Sequence, residues 1–169
     1  GKIINKCIKR HGATQTAVVL DDLKAMGYHY STIGSISISV ADMVVPEKKK
    51  EYLKEAEAQV DKIEMLFKMG QLSEDERYRH VIKTWEDANE KITKALMDNL
   101  DPYNSLFMMA DSGARGSKNQ IRQLAGMRGL MADTQGRTVE IPIRANFREG
   151  LNILEYFISS HGARKGLTD

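Results

Sequence analysis

The sequence predicts a mainly α protein: a long antiparallel coiled-coil hairpin on a small helical base with short strands. Two observations predict the hairpin. Leu53, Ala56, Val60, Ile63 and Phe67 recur at steps of three and four, and so do Tyr78, Val81, Trp85, Ala88, Ile92 and Ala95. Each set forms a narrow apolar stripe on one helix face, the pattern of a coiled-coil seam. Between the stripes lies Gly70-Gln71-Leu72, and then Ser73 and Glu76 as S-x-x-E. Gly70 suits a left-handed helix end, and the S-x-x-E pair is a capping box that opens the next helix. So short a loop makes the two arms antiparallel neighbours.

The remaining elements follow in order. Residues 2–10 place Ile3, Ile4, Cys7 and Ile8 on one face, a short helix closed by Gly12. Cys7 there reads as a small packed hydrophobe. A second helix covers 14–30, with Thr14 or Thr16 as its cap. Ile36, Ile38 and Val40 alternate with serines, which predicts a short strand. Pro46 suits a first helical position, and the run 47–50 reads as a solvated charged face. Asp101-Pro102 ends the hairpin. Helices are expected around Leu106 and over 118–125. An extended segment covers 138–143, confined to an edge by Pro142. A last helix opens at Asn146, with Glu149 three residues on. These readings divide the chain into a base (1–45), the hairpin (46–100), a Gly/Arg-rich helix-loop region (101–144) and a terminal helix (145–169).

Composition excludes several classes. The 169 residues carry a formal net charge of only +2, too little by itself to argue for nucleic-acid binding. A single cysteine excludes an internal disulfide and fits a reducing, cytoplasmic compartment. No apolar run approaches the ~18 residues of a membrane helix. The chain begins with Gly1 and stops within a helical pattern, so an excised piece of a longer polypeptide is expected.

Charge distribution is more telling than the sum. Between 113 and 137 lie Arg115, Lys118, Arg122, Arg128 and Arg137 against one acid, Asp133, among five glycines. Glycine lets backbone approach a ligand closely, and the arginine fork matches phosphate oxygens. Contact with a polyanion and an ordinary solvated loop remain equal readings, since the spacing matches no P-loop or dinucleotide fingerprint. Chemistry of other kinds is missing from the pattern. There is no D-x-D cluster, no H-E-x-x-H and no G-x-S-x-G, and the four histidines are scattered. No metal site and no self-contained catalytic site is expected.

Three ordered stretches go further. They are 111–117 (D-S-G-A-R-G-S), 120–131 (Q-I-R-Q-L-A-G-M-R-G-L-M), and 146–151 continued through 155–166 (E-Y-F-I-S-S-H-G-A-R-K-G). Together they resemble the β′ (largest) subunit of bacterial DNA-dependent RNA polymerase, and 42–49 and 97–100 fit as well. The resemblance implies a nucleotidyltransferase segment used in transcription. Residues 1–45 would be funnel, and 46–100 the rim helices of the secondary channel, where Gre-type and DksA-type factors dock. Residues near 126–137 would be the F-loop, and 145–169 the first half of the bridge helix. It further implies Arg115 near the incoming triphosphate, Arg164 and Lys165 near nucleic acid, Arg128 and Met131 in the F-loop, and Glu76, Arg77 and Tyr78 at the docking tip. Its implied partners are the β, α and ω subunits, DNA and RNA. The family's Mg²⁺-binding N-A-D-F-D-G-D loop is not in this chain, so stand-alone catalysis is not expected. Arg79 and Ala25 depart from the alarmone-binding pattern, which argues against such a site. The bridge segment, stripped of neighbours, is expected to be disordered, rearranged or paired with a second copy. A stand-alone coiled-coil adaptor or a small nucleic-acid-binding module are the alternatives.

Overall fold

The computed structural model describes the backbone of residues 1–168 and the side chains of residues 1–163. Six α-helices run through it: α1 (Lys2–Ile33), α2 (Lys49–Lys68), α3 (Glu74–Asn99), α4 (Ser105–Asp111), α5 (Lys118–Ala125) and α6 (Ile153–Thr168). The chain falls into two compact units, Gly1–Ile38 and Ser39–Asp169.

The first unit is almost entirely α1. Its backbone breaks at Gly12, where φ is 78° and ψ 173°, so the two helices read from the sequence are present end to end. Thr16 does not cap the second of them. Its hydroxyl donates back to the Gly12 carbonyl at 2.7 Å, spanning the break from inside the helix. Cys7 is half-buried. The strand expected over 36–40 does not form. Alternation supplies a strand-like side-chain pattern, but a strand needs a ladder partner, and none is paired with these residues. Instead Ser39 and Asp42 close a reciprocal capping box on a single 3₁₀ turn, Val40–Asp42.

The second unit is built on the α2–α3 hairpin. Its tip obeys local rules. Gly70 takes φ 73°, the Gln71 amide donates to the Leu66 carbonyl at 3.0 Å, and the Gly70 amide donates to Phe67 at 2.9 Å. That pair of bonds is a Schellman motif. Ser73 and Glu76 cap each other in the box that opens α3. Along the arms, Ala56, Val81, Trp85, Ala88 and Ile92 are buried together, with Leu53, Val60 and Ile63 packed against them. Nearer the base, Leu96 and Leu100 join Ile121 and Ala125 of α5 in a second cluster, with Met43, Met97 and Phe107 around it. Asn104 caps α4 by accepting from the amides of Leu106 and Phe107, and ties in residue 42 by donating to the Asp42 carbonyl at 2.8 Å.

Two local expectations are corrected here. The first helix of the hairpin starts at Lys49, not Pro46, whose carbonyl accepts from the Lys49 amide. Nor is the 47–50 run uniformly solvated: Lys49 is only 4% exposed and is ion-paired with Glu149.

A further correction concerns the terminal helix. Asn146 and Glu149 do form a reciprocal pair, with the Glu149 amide donating to Asn146 Oδ1 at 2.8 Å, but it closes a turn that ends at Gly150, φ 83°. A second N-x-x-E then repeats the device: Asn152 Oδ1 accepts from the Glu155 amide, and Glu155 accepts from the Asn152 amide. This second box opens α6. Asn146 is fully buried, its Nδ2 donating to the carbonyls of Ala125 and Gly126. The α6 face carries exposed Ile153 (90%), Leu154, Tyr156 and Phe157.

Residues 126–150 form a two-run ribbon laid along the hairpin. The outgoing run follows α3 from base toward tip: Gly126 lies beside Leu96 and Gly129 beside Asn89, and the return run begins at Thr138, beside Tyr78. The return run follows α2 from tip to base: Glu140 and Glu64 share Arg77, then Arg144 meets Glu57, then Glu149 meets Lys49. The runs touch each other antiparallel at Gly129–Ile143 and Ala132–Thr138. Gly129 and Ile143 exchange both backbone hydrogen bonds at 2.9 Å. Among the described residues, isolated bridges at Thr138 and Ile143 mark the two ends of the expected extended segment 138–143. Pro142 causes no loss in this arrangement, because its position faces no ladder acceptor.

Gly129 is the tightest point of the ribbon. Its φ is +86°, and a Cβ there would lie 2.8 Å from Asn89 Nδ2. Gly129→Ala is therefore expected to destabilise the unit by about 1–3 kcal/mol from backbone strain, with the clash added. Urea unfolding followed by circular dichroism measures it. Adding Asn89→Ala should recover only part of the loss, because it relieves the clash and leaves the strain.

Candidate functional site

The sequence-predicted tip residues converge, but on the ribbon as much as on solvent. Glu76 is exposed, and its carboxylate accepts from the Ser73 amide at 2.9 Å and the Ser73 hydroxyl at 2.8 Å. These bonds hold its carboxyl below the ordinary carboxylate value. Arg77 points inward, with a side chain only 11% exposed. Its guanidinium donates to Glu74, to Glu64 at 2.8 Å and to both oxygens of Glu140 at 2.8 and 3.0 Å. It also sits 5.5 Å from the centre of the Phe67 ring. Donating to Glu74 and Glu140 first, and to Glu64, pushes its pKa well up, so it is a permanent cation. Glu74 shifts the other way, chiefly through the hydrogen bond from Arg77. Tyr78 donates its hydroxyl to the Thr138 carbonyl at 2.9 Å, and Arg137 lies 4.6 Å over its ring.

The other predicted residues lie apart from the tip. Arg115 is exposed in the loop between α4 and α5, at the edge of an apolar groove of about 350 Å³ lined by Leu106, Met109, Ile121, Leu124 and Phe147. Arg128 is half-buried with its guanidinium 4.9 Å over the Phe147 ring, and burial lowers its pKa. Burial lowers Arg122 likewise. Both remain cationic at neutral pH. Met131 is half-buried, its carbonyl accepting from the Val139 amide at 2.8 Å across the ribbon. Arg164 and Lys165 lie outside the residues whose side chains are described.

Sequence reasoning missed Glu64, Thr138 and Glu140. The only signal was an acid, Glu140, set among apolar residues of an extended segment; nothing local linked it to Arg77, 63 positions away. Arg144 was missed too. It pairs with Glu57, and its guanidinium lies 5.5 Å from the Trp85 ring centre.

Residues 1–43 match the family described as RNA polymerase Rpb1, domain 3, and residues 72–152 match RNA polymerase Rpb1, domain 4. The β′ subunit of DNA-directed RNA polymerase from Clostridium kluyveri is 62% identical over all 169 residues. The chain belongs to the β′ family of DNA-directed RNA polymerase subunits. The β′ subunits of Clostridioides difficile and Clostridium perfringens are 61% and 60% identical over the same span. The chain spans 14–15% of the length of these β′ relatives. In this β′ segment, the ribbon falls within the domain 4 match, and α1 falls within the domain 3 match. No helix among the described residues is long and apolar enough to cross a membrane.

Proposed function

We propose that this chain serves transcription as the secondary-channel rim and bridge-helix support of a cytoplasmic DNA-dependent RNA polymerase. In this reading residues 1–45 are funnel, 46–100 are rim helices that dock Gre-type or DksA-type factors, and the ribbon around 126–137 is the F-loop. Residues 145–169 begin the bridge helix, beside DNA and RNA, and the β, α and ω subunits cover the remaining faces. Arg115 would face the incoming triphosphate. The observation that carries the reading is the hairpin itself: two long packed arms whose tip holds Glu74, Asp75 and Glu76 exposed to solvent. The exposed Ile153, Leu154, Tyr156 and Phe157 of α6 support it as well, since so apolar a face calls for covering partners.

The polymerase reaction needs Mg²⁺. Among the described residues no group of three His, Cys, Asp or Glu side chains is arranged to hold a metal ion. The contribution of these residues is to hold and position.

Binding of a purified Gre-type factor tests the docking role. The folded chain should bind, and Glu76→Arg should weaken binding without altering the circular dichroism spectrum. A helix-groove contact should also lose little affinity with added salt, whereas phosphate-driven binding to nucleic acid would fall steeply. Failure of the folded chain to bind counts against the rim assignment.

A further inference from the structure

Arg77 sits at the hairpin tip where the return run of the ribbon begins. It grips the return run directly, through both oxygens of Glu140, while its neighbour Tyr78 grips the start of the same run through the Thr138 carbonyl. Four residues beyond Glu140 the return run reaches Arg144, whose backbone amide donates to Glu155 Oε1 at 3.0 Å. The Ala145 amide donates to the same oxygen at 3.3 Å. The other oxygen of Glu155 accepts from the Asn152 amide and so completes the box that opens α6. A single carboxylate therefore serves both as helix cap and as anchor of the ribbon. From Arg77 to α6 the connection is a short piece of chain with polar grips at both ends.

From this we infer that Arg77 is a positioning residue: the grip of its guanidinium on Glu140 sets the return run and, through Glu155, the start of α6. The tip of the hairpin is then a control point for the terminal helix, although the two are far apart in sequence. The geometry explains why Arg rather than Lys is needed. Five hydrogen bonds to three carboxylates require a planar fork, which a single ammonium cannot supply. For its biological use the inference rests on the docking role proposed above. A factor seated at Glu76 would press on the residue next to the latch.

Amide hydrogen exchange on the chain tests it, with no docking factor present, so failure of the docking role and failure of this inference are separate results. Arg77→Glu should speed exchange of the Val139 and Glu155 amides by roughly tenfold while Ile92, in the hairpin core, stays slow. Adding Glu140→Arg reverses the pair while Glu64 and Glu74 still face an arginine, and it should restore protection at both amides. Glu140→Gln, which leaves α3 untouched, should give the same pattern in weaker form, and it serves where Arg77→Glu does not fold. The inference is overturned if Val139 speeds up and Glu155 does not, if Ile92 speeds up by the same factor, or if the reversed pair restores nothing.

Discussion

Trp85→Ala is expected to cost about 3–5 kcal/mol, the range for removing a buried tryptophan. Trp85 is 3% exposed and is packed with Ala56, Val81, Ala88, Ile92 and Met127. Its loss opens a cavity that serves two structures at once. The arms lose the centre of their shared core, and the ribbon loses the surface under Met127 and the ring beneath Arg144. Urea unfolding followed by circular dichroism should show the loss as a lower midpoint. Fluorescence cannot report it, because Trp85 is the only tryptophan in the chain. Tyr28→Ala, at an exposed position of the other unit, should change stability by less than about 0.5 kcal/mol.

The second large effect is electrostatic. Glu149→Ala should destabilise the unit by about 3 kcal/mol, the lower end of the range for breaking a buried ion pair. Lys49, at 4% exposure, would keep its charge with no carboxylate beside it, and the Asn146 amide would lose an acceptor. The lower end applies because Glu149 is itself 42% exposed, so water reaches the vacated side. Lys49→Met in the Glu149→Ala background should recover most of the loss, since an apolar side chain of similar volume suits that cavity better than a lone ammonium. Thermal unfolding of the two variants beside the parent measures both numbers. If Lys49→Met made the Glu149→Ala protein less stable still, the ion pair would not be the source of the effect.

What could be read in advance divides along a physical line. The hairpin was legible because everything that specifies it is local: a 3-4 stripe, a glycine at a left-handed position, and a Ser and Glu three residues apart. The same local logic misplaced the start of α6, because N-x-x-E occurs twice within ten residues. Only the left-handed Gly150 between the two copies decides which of them opens the helix. The serine-isoleucine alternation of 36–40 looked like a strand because side-chain period is visible in a sequence and a ladder partner is not. Lys49 looked solvated for a related reason: its carboxylate is 100 residues away. At the candidate site, Arg77 and Tyr78 could be singled out only by resemblance. Their use as the grip on residues 138–140 needed the ribbon to be seen in place. Long-range ion pairs of this kind leave no periodic trace.

The central structural claim is that residues 126–149 lie out and back along the hairpin, with Arg144 of the return run set over Trp85. Nuclear Overhauser contacts from the lone indole test it most directly. The Trp85 ring protons should show cross-peaks to the Cδ protons of Arg144, whose guanidinium stands 5.5 Å from the ring centre. An indole that touches only α2 and α3 neighbours and water, in a protein whose helices are intact, would mean that the ribbon does not lie on the hairpin.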